Sequence, residues 1–167
     1  EYVSPVLEFL WKSIKDPSVH IRLAAAEALR GVLLLVSVRE SHVRIEWWNK
    51  LYAEAKKRLS NREKKVEVLH GCLNVFAELL ENAMSFMKGR FSEVCRITLG
   101  LKDHRNSTIK QAVIKLIPKL GQCDPVAFIT NKTYNLGMAM PYLLHNASKL
   151  TSERGTIFIA LGDIVVA

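Results

Sequence analysis

The chain has 167 residues, 49% apolar and 24% charged, with a formal net charge of +8. That is the balance of one ordinary globular domain, which excludes a disordered tail; at this length about 70% of the unfolded surface can be buried without disulfide or metal staples. No apolar run exceeds five residues, as in Val32–Val36, against the roughly 20 that span a bilayer, and Glu1-Tyr2-Val3-Ser4-Pro5 lacks the basic start and apolar stretch of a signal peptide.

Taken in chain order, helices are expected at 4–15, 18–38, 44–59, 65–83, 86–101, 107–121, 126–144 and 152–166. Asp16-Pro17 separates the first two, because proline fits a first helical turn but not a helix interior. Ile21, Ala25, Ala28, Val32 and Val36, widened by Ala24 and Leu29, form the apolar stripe of the second helix. Ser60-Asn61 ends the third. In the fourth, Leu69, Cys72, Leu73, Phe76, Leu80 and Ala83 share one face. Lys102 to Ser107 is a polar turn with an N-cap at Asn106 or Ser107. Ile109, Ala112, Val113, Leu116, Ile117 and Leu120 then follow helical spacing closely. Pro118 and Pro141 lie inside apolar-periodic stretches, so each is expected to kink or end its helix. Thr151-Ser152 supplies the last cap. No comparable segment alternates with period two, so no sheet is expected.

These helices pair, and the pairs recur. Arg22-Leu23-Ala24-Ala25 aligns with Leu69-His70-Gly71-Cys72, then with Lys110-Gln111-Ala112-Val113, then with Arg154-Gly155-Thr156-Ile157. Helical hairpins repeating every 40–47 residues are the signature of a HEAT or armadillo-like solenoid. The expected fold is therefore all-α, an α-α superhelix of about four hairpins in one array over 1–167, with repeats at roughly 4–38, 44–83, 86–121 and 126–166. A closed helical bundle is the competing architecture. Ile157 to Ala167 is apolar to its last residue, and an array that stands alone needs polar terminal repeats, so the chain reads as a fragment of a longer solenoid.

The excess charge is concentrated. Residues 56–119 hold fourteen basic against six acidic side chains, while the flanking segments balance. The densest part is Lys56, Lys57, Arg58, Arg62, Lys64 and Lys65. It reads either as a solvated loop tip with its flanks or as a contact for an acidic protein, a nucleic acid or a phosphoinositide headgroup. No aromatic residue interrupts it to stack on a base, which argues against nucleic acid. Trp47 and Trp48 are adjacent and cannot both point inward, so one is a candidate for partner binding.

Catalytic and metal motifs are absent from the sequence. There is no glycine-rich nucleotide loop and no kinase signature. The five histidines lie 22 to 41 residues apart, never at the i, i+4 spacing of zinc-binding helices. His70 and Cys72 fall on different faces of one helix, poor geometry for a base and its nucleophile. Cys72, Cys95 and Cys123 match no zinc or redox spacing and read as buried free thiols. The sequons at Asn106, Asn131 and Asn146 are read as coincidental. No cofactor is expected.

Asp16-Pro17-Ser18-Val19-His20-Ile21-Arg22-Leu23-Ala24-Ala25-Ala26-Glu27-Ala28-Leu29 is similar to the general HEAT consensus. By that resemblance Asp16, Arg22, Lys110 and Arg154 belong to a polar ladder between repeats, interrupted by Leu69. Further segments occur in order along the chain, among them Arg39-Glu40, Trp47, Asn61-Arg62, His70-Gly71, Glu78-Leu79-Leu80, Leu116-x-Pro118-x-Leu120 and Ala160-Leu161-Gly162. Together they resemble the N-terminal HEAT region of the target-of-rapamycin (TOR) branch of the phosphatidylinositol-3-kinase-related kinases. The short stretch from Glu81 to Arg90, where animal members carry a long insertion, suggests a fungal or other non-animal source. The resemblance implies a non-catalytic scaffold within a serine/threonine protein kinase whose catalytic domain lies elsewhere. Its partners would be a Raptor- or Rictor-like adaptor, the rest of the solenoid and a dimeric assembly. Its setting would be cytoplasmic, peripheral on vacuolar or lysosomal membranes through the parent complex. The alternatives are a HEAT transport adaptor and a nucleic-acid-binding helical-repeat protein.

Overall fold

The computed structural model describes residues 3–60, 65–131, 133–149 and 153–166, and the side chains of 5–165 within those ranges. It contains ten helices and no strand among the described residues. The chain divides into two compact units, Glu1–Phe86 and Met87–Ala167.

The first unit is built from α1 (Val3–Ser13), α2 (Val19–Ser37), α3 (Ser41–Ser60) and α4 (Val66–Asn82). α1 packs on α2, α3 packs on α4, and α2 lies against α4. The turn between α1 and α2 is set by Asp16, whose Oδ1 accepts the Ser18 amide at 2.8 Å. The expected stripe of α4 is correct: Leu69, Cys72, Leu73, Phe76, Leu80 and the following Ala83 are all buried. The expected stripe of α2 is rotated. Its buried face is Arg22, Ala25, Ala26, Leu29, Leu33 and Val36, while Ile21, Ala24 and Ala28 are exposed and Val32 is half-buried. This helix is apolar on more than one face, so spacing alone does not select the one that packs. Aromatic rings of α3 meet a ring of α4 and Phe86 just beyond it. Tyr52 stacks on Phe76 at 5.7 Å between centroids, and Trp48 meets Phe86 at 5.7 Å. Arg44 lies over Trp48 at 5.3 Å and donates from a terminal nitrogen to the Ser37 carbonyl at 2.9 Å.

α5 (Met84–Lys88) contains the boundary between the units. The second unit holds α6 (Phe91–Leu99), α7 (Ser107–Cys123), α8 (Pro125–Thr130), α9 (Leu136–Lys149) and α10 (Arg154–Val166). α7 is its spine and packs on α6, α8, α9 and α10, while α9 also packs on α10. Asn106 caps α7 by accepting the amides of Thr108 and Ile109. The expected stripe is buried in full, from Ile109 to Leu120. Pro118 does not end the helix, which continues to Cys123. The lost amide costs one ladder bond at residue 114, and burial among apolar neighbours holds the turn. Pro141 likewise sits inside α9, which runs to Lys149.

Eight expected helices became ten because two are broken. The expected 86–101 helix is α5 and α6, interrupted at Gly89 and Arg90. The expected 126–144 helix is α8 and α9. Between them, Asn131 accepts the amides of Thr133 and Tyr134, and Asn135 accepts that of Met138, an arrangement that favours a turn and a new cap over a continuous helix. Thr151 and Ser152 lie outside the described residues.

Candidate protein-interaction surface

α3 carries most of the candidate partner-binding residues, because its inner face is spent on Trp48, Leu51, Tyr52, Ala55 and Leu59. Trp48 is the tryptophan that points inward. Trp47 is half-buried, with the Lys50 ammonium 4.8 Å from its ring centroid. Lys50 also pairs with Glu46 at 2.7 Å, and that hydrogen bond holds the Glu46 carboxyl below its usual range. One turn before the end of α3, Lys57 is exposed, whereas Lys56 lies 6.0 Å from the Tyr52 ring. Arg58 Nε donates to Glu54 at 2.8 Å. Lys65 is exposed at the N-cap of α4. Arg62 and Lys64 lie outside the described residues. The basic stretch therefore divides. Lys57 projects into solvent, while Arg58 is already engaged with a carboxylate on its own helix.

Arg22, placed by analogy in a ladder, is buried at 3% exposure. It does not bond the Asp16 carboxylate. One terminal nitrogen donates to the carbonyls of Asp16 at 2.6 Å and Pro17 at 2.9 Å, and Nε donates to Nδ1 of His70 at 2.9 Å. Burial lowers the Arg22 pKa, opposed by Glu67 and Asp16. Two turns further on, Arg30 makes a fork to both oxygens of Glu78 at 2.9 and 3.1 Å. Neither His70 nor the Arg30–Glu78 pair was singled out as a partner from the sequence. Both pairs are separated by 48 residues, one more than the offset that aligns Arg22 with Leu69, and this is the signal that could have found them. Lys110 is half-buried in the first turn of α7. Arg154 is exposed and donates from Nε to the Ala147 carbonyl at 3.0 Å.

The thiols are poor nucleophiles. Cys72, Cys95 and Cys123 are buried and free of disulfides. Burial pushes Cys95 up to about 12 and Cys123 up to about 11. Tyr142 is also raised by burial, to about 12, and donates its hydroxyl to the Lys102 carbonyl at 2.7 Å. The sequon asparagines are engaged locally: Asn106 and Asn131 as caps, and Asn146 through its amide to the Tyr142 carbonyl. Among the described residues no three metal-ligating side chains come together. No described helix is long and apolar enough to cross a membrane.

A HEAT repeat model matches residues 6–35. Over 99% of its length the chain is 34% identical to the serine/threonine-protein kinase tor1 of Schizosaccharomyces pombe and 31% identical to the serine/threonine-protein kinase TOR of Arabidopsis thaliana. Over 98% of its length it is 27% identical to the serine/threonine-protein kinase TOR2 of Saccharomyces cerevisiae. It spans 6–7% of the length of these relatives. The similarity thus falls on a small part of each kinase. The chain is an all-α segment of packed helices that carries a HEAT repeat at residues 6–35 and is homologous to a small part of the TOR serine/threonine-protein kinases.

Proposed function

We propose that this segment is a scaffold within a TOR-type kinase, presenting a rigid helical surface to a Raptor- or Rictor-like adaptor in nutrient and growth signalling. The observation that carries this reading is similarity to TOR kinases along 99% of the chain. Half-buried Trp47 on α3 supplies an aromatic contact of the kind that protein interfaces favour, and exposed Lys57 supplies a charge suited to a polar rim. The parent protein is a serine/threonine kinase with its catalytic domain outside this chain, acting in the cytoplasm and at vacuolar or lysosomal membranes through its complex.

The same reading makes the chain one array of four repeats (4–38, 44–83, 86–121 and 126–166) inside a longer solenoid. Support comes from an equivalence within the first unit. Ala24 on α2 aligns with Gly71 on α4, and a Cβ on Gly71 would fall 1.9 Å from the Ile14 carbonyl oxygen of the preceding hairpin. The matching face of α2 (Ile21, Ala24, Ala28, Gly31 and Leu35) is apolar and exposed, with small residues at its centre, as a face receiving another hairpin would be. Of the ladder expected from Asp16, Arg22, Lys110 and Arg154, the Arg22 bond to the Asp16 carbonyl supports one link.

Co-purification of the adaptor with the full-length kinase tests the reading. Lys57→Glu combined with Trp47→Ala is expected to reduce adaptor recovery while kinase abundance is unchanged. Undiminished recovery would remove this surface from the adaptor contact. Salt-steep binding of single- or double-stranded nucleic acid, abolished by charge reversal of Lys56, Lys57, Arg58, Lys64 and Lys65, would instead favour the nucleic-acid alternative.

A further inference from the structure

α2 and α4 meet at a buried contact that contains a titratable group. His70 is 5% exposed and Arg22 is 3% exposed. Arg22 donates from Nε to His70 Nδ1 at 2.9 Å and from a terminal nitrogen to the Asp16 and Pro17 carbonyls. A guanidinium has donors only and keeps its charge at physiological pH, so the ring nitrogen facing it must offer a lone pair. The imidazole is therefore neutral here, with its proton on Nε2. A second proton has one place to go, Nδ1, and that atom would then turn an N–H toward a cation's N–H 2.9 Å away. In a site closed to water, two such charges are poorly screened from each other. Burial already works against the Arg22 charge. Two carboxylates act on the Arg22 end of the contact: Glu67, three residues before His70 on α4, and Asp16 in the α1–α2 turn. Asn74, one turn after His70, brings its amide nitrogen to 3.5 Å from the same Nδ1. From α1, the uncharged Ile14 backbone borders Gly71, next along α4. α3 turns Trp48, Leu51, Tyr52, Ala55 and Leu59 inward, and of these only Tyr52 titrates, stacked on Phe76.

We propose that the Arg22–His70 contact is a proton-sensitive latch. Uptake of a proton from solvent at His70 Nδ1 breaks the bond and expels the guanidinium. That frees α2 and the α1–α2 turn from α4 together, because Arg22 holds all three acceptors at once. Glu67, half-buried at i−3 from His70, receives the imidazolium once Arg22 has left. The latch thus has two states: closed, with neutral His70 facing Arg22, and open, with charged His70 facing Glu67. A histidine in an unfolded chain takes up its proton near about 6.5, and the closed state refuses it until the pH is lower. The contribution of the closed contact is therefore fully present above about pH 6.5 and is lost as pH falls below it, by up to about tenfold in the folding equilibrium constant per pH unit. The Arg30–Glu78 pair, about two turns further along α2, involves no histidine and keeps that part of α2 on α4 while the Arg22 end opens. The inference rests on atoms of this chain alone and does not depend on the adaptor reading.

The test is NMR of the 167-residue chain between pH 8 and pH 5, read at the His70 ring and at the Arg22 Nε–H. His70 is expected to titrate about one pH unit or more lower in the native chain than in the same chain unfolded in urea. The Arg22 Nε–H signal is expected to shift or vanish at the same midpoint. Glu67→Gln removes the receiver of the open state and should lower the His70 midpoint further. His70→Asn keeps an acceptor for Arg22 but cannot take up a proton. In urea denaturation, its folding constant should therefore fall several-fold less than the parent's between pH 6.5 and pH 5. If that variant does not fold, the titration of the parent decides the matter without it. A native His70 midpoint at or above the unfolded one, an Arg22 signal indifferent to the titration, a midpoint not lowered by Glu67→Gln, or a folded His70→Asn chain with the parent's pH slope would overturn the inference. So would global unfolding in step with the His70 titration, because the release would then not be local.

Discussion

Arg22 and His70 are joined across α2 and α4 by a 2.9 Å hydrogen bond from Nε to Nδ1, and both residues are buried. The imidazole accepts here, so in this bond Nδ1 carries no proton. Arg30 and Glu78 repeat the same 48-residue offset, so the two helices run side by side in the same direction with two polar contacts about two turns apart. Arg22 also donates to two carbonyls of the α1–α2 turn, so its loss removes a donor from three acceptors, of which His70 Nδ1 belongs to a buried residue. Arg22→Met is expected to destabilise the first unit by about 2–4 kcal/mol. Adding His70→Leu should recover part of that, because no buried acceptor then faces the missing donor. A double-mutant cycle by urea denaturation checks both, and strict additivity would show that the bond contributes nothing of its own.

Gly71 and Gly31 predict opposite outcomes for the same substitution. Gly71→Ala places a methyl group 1.9 Å from a backbone oxygen of Ile14, and the backbone cannot swing aside as a flexible side chain can. A loss of about 3 kcal/mol is expected. A Cβ at Gly31 meets nothing within 4 Å. Gly31→Ala should therefore stabilise α2 by roughly 0.5–1 kcal/mol through reduced chain entropy. Paired thermal melts that moved in the same direction would contradict the close approach at Gly71.

The contrast between α2 and α4 explains how much could be read from the sequence. α4 and α7 each bury their predicted stripes completely, and there the helical period alone identified the core. α2 is apolar on more than one face, and its buried face, which includes Leu29 and Leu33, is decided by packing against α4 and its other neighbouring helices. Breaks within helices were legible only in part. Gly89 and the closely spaced Asn131 and Asn135 carried the signal, but the apolar periodicity on either side masked it. The candidate surface was legible as composition and not as geometry. A run of lysine and arginine does not announce that Arg58 is held by Glu54 while Lys57 is exposed. The Arg22–His70 and Arg30–Glu78 pairs are long-range, and only the repeat offset, not a local pattern, points to them.

Leu116 is almost fully buried on α7, the helix against which the rest of the second unit packs. Leu116→Asp places a carboxylate at a position shielded from water. A loss of about 3–5 kcal/mol is expected, with the melting transition broadened or lost. Lys57→Glu, on the exposed side of α3, should change stability by no more than about 0.5 kcal/mol. Circular dichroism melts of the two variants beside the parent check the contrast. Equal melting temperatures would mean that the α7 stripe does not face the core.

Alkaline pH should destabilise the second unit through its thiols. Cys95 and Cys123 remain protonated when folded up to about 12 and about 11, because burial disfavours the thiolate, whereas an exposed thiol ionises near 9. Their folded values are raised, so their contribution is fully present below the unfolded pKa and is lost as pH rises through the folded ones. Above about pH 9 the unfolded chain has released protons that the native chain still holds, and the slope of unfolding free energy against pH is negative. Each thiol adds up to about 1.4 kcal/mol per pH unit to that decline until its folded value is reached. Urea denaturation at pH 7.5, 9 and 10 should show the loss, and Cys95→Ala with Cys123→Ala should flatten it whatever those changes do to the baseline. A double variant with the parent's slope would place the titration on other groups.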